Sequence, residues 1–225
     1  MTAAYDVLAA RAAGLALEAG PGGRAVVGVA GAPGCGKSTL ARAVAARTCA
    51  LLQDADACVV LPMDGFHLTR AQLAAMEDPE TARTRRGAPF TFDVPAFVAA
   101  VKAAAVPGSS HSLPSFDHGV GDPVAGGVEI KGGASVILVE GNYVLLPSPP
   151  WNSLKDDAIL TEAWFIDVPN VDVAMARVFA RQTADGVPPG ASLARVRAND
   201  RPNAELVAGC VERADIIVAG DLPEA

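Results

Sequence analysis

Gly31-Ala32-Pro33-Gly34-Cys35-Gly36-Lys37-Ser38-Thr39 sets two glycines, Gly31 and Gly36, with four residues between them, followed by Lys and Ser. That spacing suits phosphate chemistry. Gly34 and Gly36 admit φ values that side chains resist, so successive backbone N–H groups and a helix N-terminus converge on one anion. Lys37 would reach the outer phosphates of a triphosphate, the Ser38 hydroxyl would hold Mg²⁺, and the stretch from Gly31 to Thr39 would form the nucleotide cradle.

Phosphoryl transfer also needs a second ligand for the metal, a group that takes a proton, and positive charge for the moving phosphoryl group. Glu140 follows the apolar run VILV and is the candidate for the metal; it also reads as a strand-terminal carboxylate facing solvent. Asp64 is the candidate base, and reads equally as a turn aspartate before Gly65. Arg177 and Arg181, four apart on a helical stripe, suit a lid that carries guanidinium groups over the phosphates, against the alternative of a solvated helix face. Arg195 and Arg197, two apart, do not share a helical face. For an acceptor, His67, Arg85 and Arg86 are candidates, and His118 beside Asp117 would form a further wall.

The elements that must place these residues are short. Ala25–Ala30, Cys58–Leu61, Val136–Val139, Ala163–Val168 and Ile216–Val218 are apolar runs of strand length, alternating with helical patterns. They predict an α/β fold with a five-stranded parallel sheet and helices on both faces, in which ligands bind beyond the carboxyl ends of the strands. A helix over Ala3–Leu17 is expected to cover the sheet edge. Thr69–Phe92 reads as irregular, Asp93 as the N-cap of a helix to about Ala105, and 107–133 as a hairpin or elaborated loop. A helix from Val171 to near Gly186 and a second over about 191–199 flank the break at Pro188-Pro189-Gly190. The expected organisation is a single domain over 1–225, with an N-terminal helix and linker (1–23) and a core (24–220).

Hydrophobic residues make up 51% of the 225-residue chain, enough for a folded core, and the net charge of −7 makes the surface a poor partner for nucleic acid. No apolar run reaches membrane-spanning length, so the expectation is a cytoplasmic protein with no membrane partner. Cys35, Cys49, Cys58 and Cys210 have no metal-like spacing and read as buried, reduced thiols. Cys35, at a helix N-terminus, is expected to have a lowered pKa.

Several segments occur together in a known order: the glycine-rich loop, Pro62-Met63-Asp64-Gly65-Phe66-His67, Arg85 to Asp93, Val139-Glu140-Gly141-Asn142-Tyr143, and Asn199-Asp200-Arg201-Pro202-Asn203. In this the chain resembles P-loop kinases related to phosphoribulokinase, uridine kinase and bacterial pantothenate kinase, over about residues 24–220. It looks most like their uridine-kinase-like or fructokinase-like branch. The resemblance implies the P-loop NTPase fold with lid and acceptor-loop insertions, and ATP and Mg²⁺ as cofactors. It implies Asp64 as base, Ser38 and Glu140 at the metal, and Arg177 and Arg181 in the lid. Asp64, His67, Arg86, Asp117, His118 and Tyr143 would face the acceptor, and Asn199, Asp200 and Pro202 would lie near the adenine.

The reading is phosphorylation of a hydroxyl on a small metabolite such as a sugar, nucleoside or pantothenate-like alcohol. A guanine-nucleotide switch would carry an Asn-Lys-x-Asp motif, which the sequence lacks. A regulatory NTPase and a nucleoside monophosphate kinase are the rival readings. The acceptor's identity and the oligomeric state, a homodimer included, are open.

Overall fold

A computed structural model describes residues 2–117 and 120–220. After α1 (Thr2–Glu18), β1 (Ala25–Gly31) is buried at all of its residues. The loop Ala32–Gly36 then turns the chain into α2 (Lys37–Leu52), with Gly36 at φ 95° on the helix start. β2 (Cys58–Pro62) runs into a 3-10 turn, Met63–Phe66. Next come α3 (Arg70–Ala74) and α4 (Pro79–Thr84), in the stretch expected to be irregular. They are too short for apolar periodicity to reveal them. Their caps are the cause: Thr69 and Gln72 form a capping box, and the Asp78 side chain accepts from the Thr81 N–H.

α5 (Val94–Ala104) starts as predicted, with the Asp93 carboxylate accepting from the Ala96 N–H. The glycine-rich stretch after it folds into an antiparallel hairpin, β3 (His111–Asp117) and β4 (Asp122–Ile130), irregular between Leu113 and Ser115. β5 (Val136–Glu140), α6 (Ser153–Asp156), β6 (Glu162–Asp167) and α7 (Val171–Ala184) follow. Beyond the proline-rich break lie α8 (Pro189–Arg195), a π-helical turn (Val196–Asp200), α9 (Arg201–Ala208) and β7 (Ile216–Ala219). The sequence predicts a helix over about 191–199, where α8 and most of the π-turn stand, and places none at α9. Pro202 lacks the N–H that would continue a regular ladder, and the chain widens just ahead of it.

The sheet order is β2-β5-β1-β6-β7, every pair parallel. Strand alternation divides the core into two layers. Val26, Ile137, Val139 and Phe165 pack with Phe97 and Val101 of α5 and Val207 of α9. Val27, Val29, Leu138 and Trp164 pack on the other face with Leu8 and Leu15 of α1 and Leu40 and Val44 of α2. The expectation that the first helix covers the sheet edge is corrected here: α1 lies over β1 and β5, inner strands, because its small face (Ala9, Ala12, Ala16) allows close approach to the sheet and α2.

Register fixes the working rim. Val29 of β1 and Pro62 of β2 both pair with Glu140 of β5, so the glycine loop, Asp64 and Glu140 emerge from the same carboxyl edge. Among the described residues no helix is long and apolar enough to cross a membrane.

Candidate active site

The glycine loop is held tightly from behind. Gly34 has φ 80°, and a Cβ there would lie 2.3 Å from the Ala174 carbonyl oxygen of α7. Lys37 is buried, and its Nζ donates to the Ala32 carbonyl at 3.0 Å, folding the ammonium back over the loop. Ser38 Oγ donates to Glu140 Oε2 at 3.2 Å. Burial pushes the Glu140 carboxyl up from its ordinary pKa; Asp64 adds to the rise, while Lys37, the Ser38 hydrogen bond and Arg42 oppose it.

A hydroxyl and a carboxylate are hard oxygen donors and fit Mg²⁺, which keeps waters and takes phosphate oxygens instead of a full protein cage. Among the described residues no group of three or more His, Cys, Asp or Glu is arranged to hold a metal. The Cys35 expectation is corrected: the thiol is buried, and desolvation raises its pKa against the lowering by Lys37.

Asp64, in the 3-10 turn after β2, is about half exposed and stands between two cavities. One, of about 330 Å³, holds the Ser38–Glu140 pair and Arg42, with Ser115 and Gly127 of the hairpin. The other, of about 300 Å³, runs from Pro33 of the glycine loop past His67, Arg70, Arg86 and Phe116 to Arg181, Arg195, Asn199 and Asp200. The hairpin sits close because residue 65 is glycine: a Cβ there would lie 2.1 Å from the Pro114 carbonyl oxygen.

His67 packs against the tilted rings of Phe92 and Phe116, with ring centroids 4.0 and 4.8 Å away. Its Nδ1 lies 2.9 Å from the Asp64 carbonyl, an acceptor only, so that nitrogen carries the proton in this bond. The Arg86 guanidinium lies over Phe116 and donates to the carbonyls of Gly121 and Leu68 and to Asp122. It thus anchors the hairpin as well as lining the cavity.

Other sequence candidates are placed differently. Tyr143 is fully buried, and its hydroxyl donates to the Gly87 carbonyl at 2.6 Å, bracing the wall from behind. Asp117 ends β3, paired with Asp122, and His118 lies outside the described residues. Arg181 is on the cavity wall, whereas Arg177 donates to the Gly220 carbonyl at 2.7 Å.

Asn199 and Asp200, expected beside the adenine, line the same cavity as Asp64 and His67. Burial raises the Asp200 pKa, opposed by Arg195, a hydrogen bond from Gln182 Nε2 at 3.0 Å, and Arg181. Sequence reasoning missed Arg195, Asn203 and Arg70 on this wall. For Arg195 the helical-face argument paired it with the wrong neighbour: Arg181, on another helix, is its companion. Asn203 had a signal in its place after Pro202.

No family model matches the chain. It is 43% identical over 151 residues to an ATP-dependent kinase-like protein of Aspergillus versicolor, covering 64% of this chain and 85% of that one. A Schizosaccharomyces pombe protein named for uridine kinase is 38% identical over 137 residues, 57% of this chain and 55% of that one, so the chain matches about half of its length. A crystal structure from Silicibacter sp. TM1040, named for a fructose transport system kinase, superposes with a TM-score of 0.79 at 33% identity, covering 93% of this chain and 98% of the other.

Proposed function

The chain belongs to the uridine-kinase-like P-loop kinases, and we propose that within that family it transfers the γ-phosphoryl group of ATP to a hydroxyl of a small metabolite. The observation that carries this reading is the position of Asp64, which borders both the Ser38–Glu140 cavity and the arginine-lined cavity beside the glycine loop. A base at that junction meets donor and acceptor together.

In this mechanism the backbone N–H groups of Gly34 and Gly36 and the Lys37 ammonium bind the phosphates. Ser38 and Glu140 would hold Mg²⁺, which when bound neutralises charge on the phosphate oxygens. The Asp64 carboxylate takes the proton of the attacking hydroxyl. Arg181 and Arg195 offset the charge that spreads over the equatorial oxygens. Arg70 and Arg86 add to the positive wall in a chain of net charge −7. That excess of arginine favours an acceptor with a carboxylate or phosphate of its own beside the reacting hydroxyl.

The test is release of ADP from Mg·ATP in the presence of sugars, nucleosides, sugar acids, hydroxy acids and sugar phosphates, with Lys37→Ala as control. A stimulation of at least about tenfold by one class, lost in Lys37→Ala, is expected for a kinase whose loop lysine acts on the phosphates. Hydrolysis indifferent to every metabolite and altered by a protein partner would instead identify a regulatory NTPase.

A further inference from the structure

Asn199 and Asn203 do more than line a wall. Their amides clasp the strap formed by Arg85, Arg86 and Gly87. Asn199 Oδ1 accepts from Arg85 Nε at 3.2 Å, while its Nδ2 donates to the Arg86 carbonyl at 2.9 Å. Asn203 Oδ1 accepts from the other end of the same guanidinium at 3.1 Å, and its Nδ2 reaches the Gly87 carbonyl at 3.3 Å and Asn199 Oδ1 at 3.2 Å. Both side chains are nearly fully buried, at 1% and 2% exposure. An amide both donates and accepts, so each asparagine holds the strap by side chain and backbone at once. The strap then passes the constraint on, since Arg86 ties the hairpin turn at Gly121 and Asp122.

The next residue in the same turn faces the other way. Asp200 accepts from Gln182 of α7, whose Oε1 accepts from Ser192 of α8, and it lies in the field of Arg181 and Arg195. Neighbouring residues of one π-turn therefore hold the acceptor wall on one side and the arginine-bearing helices on the other. Such turns recur where a helix has been adapted to function.

We propose that Asn199 and Asn203 are positioning residues that latch the 85–87 strap to the arginine-bearing helices, coupling the phosphate site to the acceptor wall. The name acceptor wall rests on the kinase reading; the latch itself does not. The role differs from an adenine contact, because these amide groups are engaged with the strap and with each other.

Hydrogen exchange of the strap amides gives the test without an acceptor. The amides of Arg86, Gly87 and Ala88 are bonded to the Arg83 carbonyl, Thr91 Oγ1 and the Arg85 carbonyl. In Asn199→Ala and Asn203→Ala their exchange should quicken by at least about tenfold, with ATP affinity within about twofold of wild type, the opening free energy being what exchange reads. Mg·ATP should slow strap exchange in the wild type and lose that effect in Asn199→Ala. Arg85→Gln, which opens the clasp from the strap side, should reproduce the loosening if an asparagine variant folds poorly. Unchanged strap exchange in all three variants, or slowing by Mg·ATP that persists in Asn199→Ala, overturns the latch. A tenfold loss of ATP affinity with altered ATP-over-GTP preference would assign the asparagines to the base instead. Failure of the metabolite screen leaves these readouts intact, so the latch and the kinase reading fail separately.

Discussion

Asp64 and Gly34 carry the two expectations that belong to single residues. Asp64→Asn keeps the size and removes the basic oxygen, so acceptor-stimulated turnover should fall by about 10²–10⁴-fold while ATP binding persists. Full turnover in Asp64→Asn, measured beside an ATP titration, would remove the base assignment. Gly34→Ala forces a side chain into the left-handed region, costing about 1–2 kcal/mol, and drives a Cβ against the Ala174 carbonyl. Its melting temperature should drop by several degrees, and ATP affinity should fall because the cradle and α7 must part. At this scale the sequence was most legible where a motif prescribes both residue type and backbone, as at Gly34, Lys37 and Ser38. It was least legible where a side chain's partner comes from a distant element. Nothing around Arg177 or Arg181 tells that one binds the Gly220 carbonyl while the other lines a cavity with Arg195. The Cys35 error was of another kind: the helix N-terminus lowers a thiol pKa, but complete burial outweighs it.

The π-turn carries a pH-dependent stability that can be tested at Asp200. Asp200 has a folded pKa raised above its ordinary 3.8 by burial, with Arg195, Gln182 and Arg181 as the groups that oppose the rise. A raised carboxyl pKa means that the folded chain binds the proton more tightly than the unfolded one. The stability that this supplies is complete below pH 3.8 and declines as pH rises from there through the folded value. Asp200→Asn abolishes that titration. The melting temperature of Asp200→Asn minus that of wild type should therefore become more positive through this window and level off above it. A difference that is flat with pH would count against a raised pKa at Asp200. Capped or strongly periodic elements were readable, as Asp93 and α5 were. The π-turn was not, because proline marks where a helical ladder is interrupted without telling whether the chain breaks, kinks or widens.

Across the whole molecule, the parallel sheet was legible because its strands read as short apolar runs, the inner ones β1, β5 and β6 being buried on both faces. The order β2-β5-β1-β6-β7 was not readable from those runs, since each is equally apolar on either side. What joins the sheet to the β3–β4 hairpin was equally hidden. Arg24, just before β1, is buried and spends its guanidinium on oxygens from three places. These are the end of α5 at Ala104 and Val106, Ser109 before the hairpin, and Lys131, Gly132 and Ala134 after it. No carboxylate pairs with it in these bonds, and desolvation lowers its pKa. The contacts to the Ala104 and Ala134 carbonyls, both 2.7 Å, are short and buried, and hydrogen bonds to a charged group contribute about 1.5–3 kcal/mol each. Arg24→Ala should thus cost at least about 3 kcal/mol, or about 6–12 °C in melting temperature for a chain of this size. Arg24→Lys, which keeps the charge but cannot fork to both sides of the hairpin base, should recover only part of that loss. The hairpin carries Phe116 against His67, so Arg24→Lys should also weaken acceptor binding more than ATP binding. Equal stability of Arg24→Ala and wild type in thermal melts would show that the hairpin base holds together without this residue.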